Sequence, residues 1–273
     1  QGLMLTFCFS HDAAERLFLN APQLAPDCAM CWWGAALVLG PHVNAQMDPA
    51  DNPKAWQSLQ RAVALAPKVT ERERAYIHAL KSRYAENPPE DRRVLDEAYA
   101  KATGALVAQR PDDLDARVFH AEALMDLQPW DYYDEKLAPK GNTAAVVSAL
   151  ESVMKEDPNH AGALHLYVHA VEASADPQRG VVAADRLRTL IPGSGHLVHM
   201  PAHIYARVGR WHDAVVANQA AIAADNDYLA TCGPNARGVY PLGYVPHKPH
   251  FLWFAASMEG ASKVAQDAAR TTA

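Results

Sequence analysis

One register recurs along the chain: a small residue, an apolar one four positions later, a small or apolar one three after that, and a proline five further on. Ala14, Phe18, Ala21 and Pro26 form one copy, Ala55, Leu59, Ala62 and Pro67 a second, and Val146, Leu150, Val153 and Pro158 a third. Gly180, Ala184, Leu187 and Pro192 follow it more loosely, the phase slips by a residue around Pro111, and Ala214, Asn218 and Ala221 lead to Asn226 instead of a proline. Steps of four and three keep these positions on one stripe of an α-helix. Proline has no N–H to continue the helical ladder, so each one closes a helix. The pattern predicts an all-α chain of helical repeats.

The closing prolines at 26, 67, 111, 158 and 192 lie 41, 44, 47 and 34 residues apart, so the early repeats carry insertions. Three stretches rich in Gly, Pro and Asn read as loops: 40–53, 127–142 and 231–250. Trp130, Tyr132, Tyr133, Tyr240 and Tyr244 make the last two more aromatic than plain solvent loops. They either fold over one end of a groove or anchor the loops to the scaffold.

Charge and composition narrow the function. In 273 residues, 49% of them hydrophobic, 25 basic side chains face 31 acidic ones, a net charge of -6 with no basic stripe. That argues against nucleic-acid binding. No apolar run reaches the ~18–20 residues that span a bilayer, and the opening QGLMLTFCF, which reads as mid-helix, lacks a basic leader. The chain is expected to be soluble, in a bacterial cytoplasm or periplasm. Cys28 and Cys31 form a CxxC, but no second pair follows at zinc-ribbon spacing, so packing at a helix start is the expected role.

Two histidine pairs carry the candidate chemistry. His165 and His169 in HLYVH repeat the spacing of His199 and His203 in HMPAH; the pairs lie 34 residues apart, and each begins seven residues after a proline. Residues at i and i+4 share a helix face, so each pair is a two-nitrogen chelate. The His-X-Pro of the second pair returns as His247-Lys248-Pro249, followed by His250, from which both histidines can reach the same site.

The closing prolines and the segment Val208-Gly209-Arg210-Trp211-His212-Asp213-Ala214 resemble the tetratricopeptide-repeat (TPR) superfamily, as a histidine-rich, bacterial-type member. The resemblance covers nearly the whole chain, 1–273, as a single array. It implies a right-handed superhelix of about six to seven helix-turn-helix repeats with loop insertions, cut in mid-repeat at both ends. Groove-facing positions of such repeats lie at fixed offsets after the closing proline. They fall here on His165, His169 and Glu172, on His196, His199 and His203, and on Glu122 and Asp126. His120 is left on the packing side, and His11 and His42 in structural roles.

These residues predict one transition-metal ion, copper, iron or zinc, shared by the two pairs, with Glu172, Glu122 or Asp126 as anionic ligand or hydrogen-bond acceptor. Glu122 and Asp126 are the candidate general bases. Neither histidine pair carries the glutamate of HExxH, and no GxSxG elbow, P-loop or dinucleotide fingerprint is present. The expected function is a metalloenzyme doing oxidative or hydrolytic chemistry on a small molecule. The alternative is a TPR scaffold for a peptide or partner protein, with any metal structural.

Overall fold

In the computed structural model, which describes residues 1–232 and 239–272, the closing prolines stand where the stripe pattern puts them. The chain is all-α, 73% helical, with no strand among the described residues. The helices are α1 (Gly2–Phe7), α2 (His11–Leu24), α3 (Ala29–Leu37), α4 (Asn52–Leu65), α5 (Glu71–Leu80), α6 (Arg93–Gln109), α7 (Leu114–Met125), α8 (Thr143–Glu156), α9 (Ala161–Val171), α10 (Val181–Leu190), α11 (Gly195–His199), α12 (Pro201–Arg207), α13 (Trp211–Cys232), α14 (Val245–Glu259) and α15 (Ser262–Thr272). Each of α2, α6, α8 and α10 ends two residues before its closing proline, and α4 passes into a 3-10 turn around Pro67. Polar caps open several helices: Thr70 and Glu73 form a capping box on α5, and the Asp113, His160 and Ser194 side chains accept first-turn N–H groups of α7, α9 and α11. None of these helices is long and apolar enough to cross a membrane.

Two compact units divide the chain, Gln1–Asp134 with Pro139–Val153, and Glu135–Ala138 with Met154–Ala273. Successive helices pack on one another within each: α1 to α4 in sequence and α5 to α7 in the first, α9 with α10 and α12 to α15 in the second. The stripe is what they bury. Ala14, Ala55, Leu59, Ala62, Leu150, Val153, Ala184, Leu187, Ala214 and Ala221 all lose essentially their whole surface. Asn218 holds the large apolar position of its copy and is buried as completely.

The insertions differ in fate. Of residues 40–53, the loop is 40–48, pinned by a bridge between His42 and Ala45; a 3-10 turn at Pro49–Asp51, capped by Asp48, then leads into α4 at Asn52. Residues 127–142 are also a loop: Tyr133 bridges Pro139, Tyr132 is buried, and its carbonyl accepts the Thr143 hydroxyl at 2.9 Å. The expectation of a loop throughout 231–250 needs correction. Residues 233–238 lie outside the described residues, but the chain is π-helical over Tyr240–Tyr244 and continues directly into α14. Pro246 sits in the first turn of α14, where a missing N–H costs nothing, so this proline starts a helix instead of breaking one. The CxxC does open a helix, with Cys28 as N-cap of α3, but its sulfurs are joined in a disulfide.

The stripe therefore carries a stability expectation. Leu150→Ala, which empties a buried stripe position, should cost about 2–5 kcal/mol, whereas Val182→Ala on the exposed side of α10 should stay within about 0.5 kcal/mol. Denaturant midpoints of the two variants check this.

Candidate metal centre

Every residue of α9 from Ala161 to Val171 is buried, so His165 and His169 sit in a helix that is apolar on all other sides. Polar side chains so placed are costly unless each nitrogen finds a partner. The second pair straddles a helix break. Pro201 cannot donate to the preceding turn, so α11 stops at His199 and α12 restarts, yet Met200 keeps a helical conformation (φ -51°, ψ -38°). His199 and His203 thus remain on one face, with Nε2 atoms 2.9 Å apart.

The histidines do not converge on one point, as the pairs alone suggest, but on two. His165, His169 and His196 form one triad and His199, His203 and His247 the other; in each, one ligand atom per residue lies within 4.8 Å of the others. In the first triad His165 Nε2 stands 3.0 Å from His196 Nε2 and 3.2 Å from His169 Nε2. Two nitrogens bonded to one ion at ~2.0–2.1 Å stand about that far apart. His196 and His199, three residues apart on α11, serve different triads, and their ring centres are 6.5 Å apart.

Hydrogen bonds set the ring tautomers around the second triad. The Asn218 amide donates through Nδ2 to the Ala214 carbonyl at 2.8 Å, which turns Oδ1 toward His199 Nδ1 at 2.7 Å. His199 Nδ1 is therefore the donor, leaving a lone pair on Nε2. His203 Nδ1 donates to Glu172 Oε2, also at 2.7 Å. With both Nδ1 protons committed outward, two Nε2 lone pairs face each other at 2.9 Å, and a cation between them, proton or metal, relieves the repulsion. Glu172 reaches the first triad too, its Oε1 lying 3.7 Å from His169 Nδ1. One buried carboxylate thus serves a ring from each triad.

Burial disfavours charge on four of these rings. Burial lowers His169, against a raising contribution from Glu172, and pushes His196 and His199 far below the ordinary histidine value, each helped by neighbouring histidines. Burial, then His203, brings His247 down to about 4. Glu172 goes the other way for a carboxylate: burial would raise it, but His203 and the histidine N–H donors outweigh burial and hold it below the usual range. Neutral imidazoles beside an ionised carboxylate are the protonation states a metal needs.

A buried ion pair holds the helices that supply these ligands. Lys248, fully buried next to His247, places Nζ 2.5 Å from Asp225 Oδ2 on α13, and Asp225 Oδ1 accepts the Tyr240 hydroxyl at 2.9 Å. Gly195 opens α11 against the same carboxylate; a Cβ there would fall 2.0 Å from Asp225 Oδ1. Tyr244 stacks on His196 with centroids 4.2 Å apart. Sequence reasoning missed Asn218 as a partner, although a polar residue on the apolar stripe was the signal. For Lys248 and Asp225 no pattern pointed to burial.

Other expected residues are members of neither triad. His250 belongs to neither triad and packs its ring 5.5 Å from Trp253. Glu122 lies on α7 and Asp126 is its C-cap, in the first unit, where Arg83 Nη2 meets Asp126 Oδ2 at 3.2 Å. His120 Nδ1 faces the Thr103 hydroxyl at 3.0 Å, a packing role, and His11 and His42 pack edge to face with ring centres 4.6 Å apart. No protein-family model matches the chain and no curated protein matches it.

Burial, opposed by Arg83, raises Glu122 to about 7 from its ordinary 4.5. The folded chain then holds a proton that the unfolded chain releases. This contribution to stability is complete below about pH 4.5 and is lost as pH rises through about 7. Glu122→Gln, which cannot ionise, should exceed the wild type by roughly 1–3 kcal/mol at high pH. Denaturation at about pH 8 and about pH 4.5 should show the gain at the first and none at the second.

Proposed function

We propose that the chain is a TPR-like metalloprotein whose two triads hold a pair of copper ions, and that it catalyses oxidation of a small molecule. The observation that carries this reading is the 2.9 Å approach of the His199 and His203 Nε2 atoms, their Nδ1 atoms being engaged by Asn218 and Glu172, with a third imidazole beside them and a second triad adjoining. A lone proton would satisfy two nitrogens; six converging on two points suit two metal ions. Neutral imidazoles without thiolate suit copper or zinc, non-haem iron sites of the oxygenase kind commonly include a carboxylate ligand, and divalent copper heads the affinity order. Copper, when bound, supplies one-electron exchange with dioxygen or an organic substrate.

The protein's own part is orientation and exclusion of water. Asn218 and Glu172 fix which nitrogen of His199 and His203 turns inward. Tyr244 covers His196, and the first triad is wholly buried. Only the second triad opens outward, through His203 and the exposed His247, so a substrate would approach there. A purely structural pair of ions would have no use for that opening. Of the two expected compartments, the Cys28–Cys31 disulfide favours the oxidising periplasm.

The reading is tested by metal content. Wild-type protein should take up two copper ions per chain, and the variants His165→Ala/His169→Ala and His199→Ala/His203→Ala should each keep one while remaining helical. Divalent copper in the wild type should give a paramagnetic resonance signal well below its copper content, because neighbouring ions couple, and each double variant should recover the signal of one isolated ion. A folded wild type that binds no copper ends the metal reading. Two bound ions without any dioxygen-dependent turnover end the enzymatic one.

A further inference from the structure

The opening of the second triad carries its own chemistry. Phe251 lies one helical turn beyond His247 on α14 and is half-buried, its ring 5.3 Å from His199, 4.9 Å from His203 and 5.8 Å from His247. One aromatic ring therefore touches all three members of the triad that meets solvent. Phe254, 44% exposed, follows at 5.9 Å, and Trp211 packs 5.6 Å from Phe254. A row of rings thus leads from the surface to the histidines.

Charge supplies the second half of the argument. Two divalent ions bring four positive charges, the six imidazoles are neutral, and Glu172 returns one negative charge. Lys248 and Asp225 cancel each other. A strong positive excess remains beside a low-dielectric aromatic wall, and it favours an anionic ligand on the open side. The aromatic row adds that this ligand should be flat and apolar apart from its oxygen, since stacked or edge-to-face ring pairs gain ~0.5–1.5 kcal/mol beyond area burial.

We propose that the substrate of the second triad is an aromatic oxyanion, a phenolate or catecholate, laid along Phe251 with its oxygen toward His203 and His247. The proposal rests on the two-ion reading, and it names the substrate class that the reading leaves open. Phe251 is then the residue that separates aromatic from aliphatic ligands.

Zinc-loaded protein, which cannot oxidise the probe, allows binding to be read alone. 4-Nitrocatechol should bind with a shift of its visible absorbance and should compete with azide, a small anion that needs no aromatic wall. Phe251→Ala should weaken 4-nitrocatechol by about tenfold while leaving azide affinity and zinc content unchanged. Phe254→Ala, at a half-exposed position, should weaken the catechol by about threefold while leaving the helicity unchanged. Catechol binding that survives both substitutions overturns the proposal, as does a chain that holds two zinc ions and binds azide but ignores 4-nitrocatechol. A folded chain that takes up no zinc overturns the metal reading, and this proposal with it.

Discussion

The Nε2 atoms of His199 and His203 stand 2.9 Å apart, a contact that needs a cation, proton or metal, between them, and the surroundings hold both rings in that arrangement. Asn218 is oriented by the Ala214 carbonyl and so turns its oxygen to His199. Glu172, an acceptor only once ionised, takes the outer proton of His203. Each acceptor is itself buried, so releasing either ring would strand a polar group without water. The centre is preorganised by the cost of every alternative more than by the strength of any single bond.

Such a centre burdens the fold. Histidines inside α9, an ion pair without solvent at Lys248 and a carboxylate at Glu172 all occupy volume that apolar side chains would fill more favourably. The regular stripe elsewhere carries the offset. Leu59, Leu150 and Leu187 bury their whole side chains in the same register, and each such burial contributes roughly 1.5–3 kcal/mol. Ordinary repeats thereby support the few that are not ordinary. Lys248 shows the division of labour: it stabilises little, but removing it would leave Asp225 charged and dry against the start of α11.

The helices were legible because their signal is local. A stripe of steps four and three followed by proline needs no knowledge of the partner helix, and α2, α4, α8 and α10 end where that signal places them. The triads were legible only in part. Spacing paired His165 with His169 and His199 with His203, but their division into two sites depends on His196 and His247, whose places follow from how α11 and α14 pack. Near Tyr240 the Gly and Pro residues read as breakers, yet first-turn prolines are compatible with a helix, and the chain is helical there. Glu122 and Asp126 were placed by an offset rule that gives the face of a helix and not what lies across from it. In their own unit that is Arg83.

The five residues of α11 send His196 to one triad and His199 to the other. A helix this short, closed by Pro201 and seated on Asp225 through Gly195, turns as one piece. Any rotation about its axis swings both rings together, so neither triad can be adjusted without detuning its neighbour. In evolutionary terms the two centres form a single heritable unit. A lineage could dissolve one triad by losing histidines on α9 or α14, but a shift of α11 as a whole would disturb both.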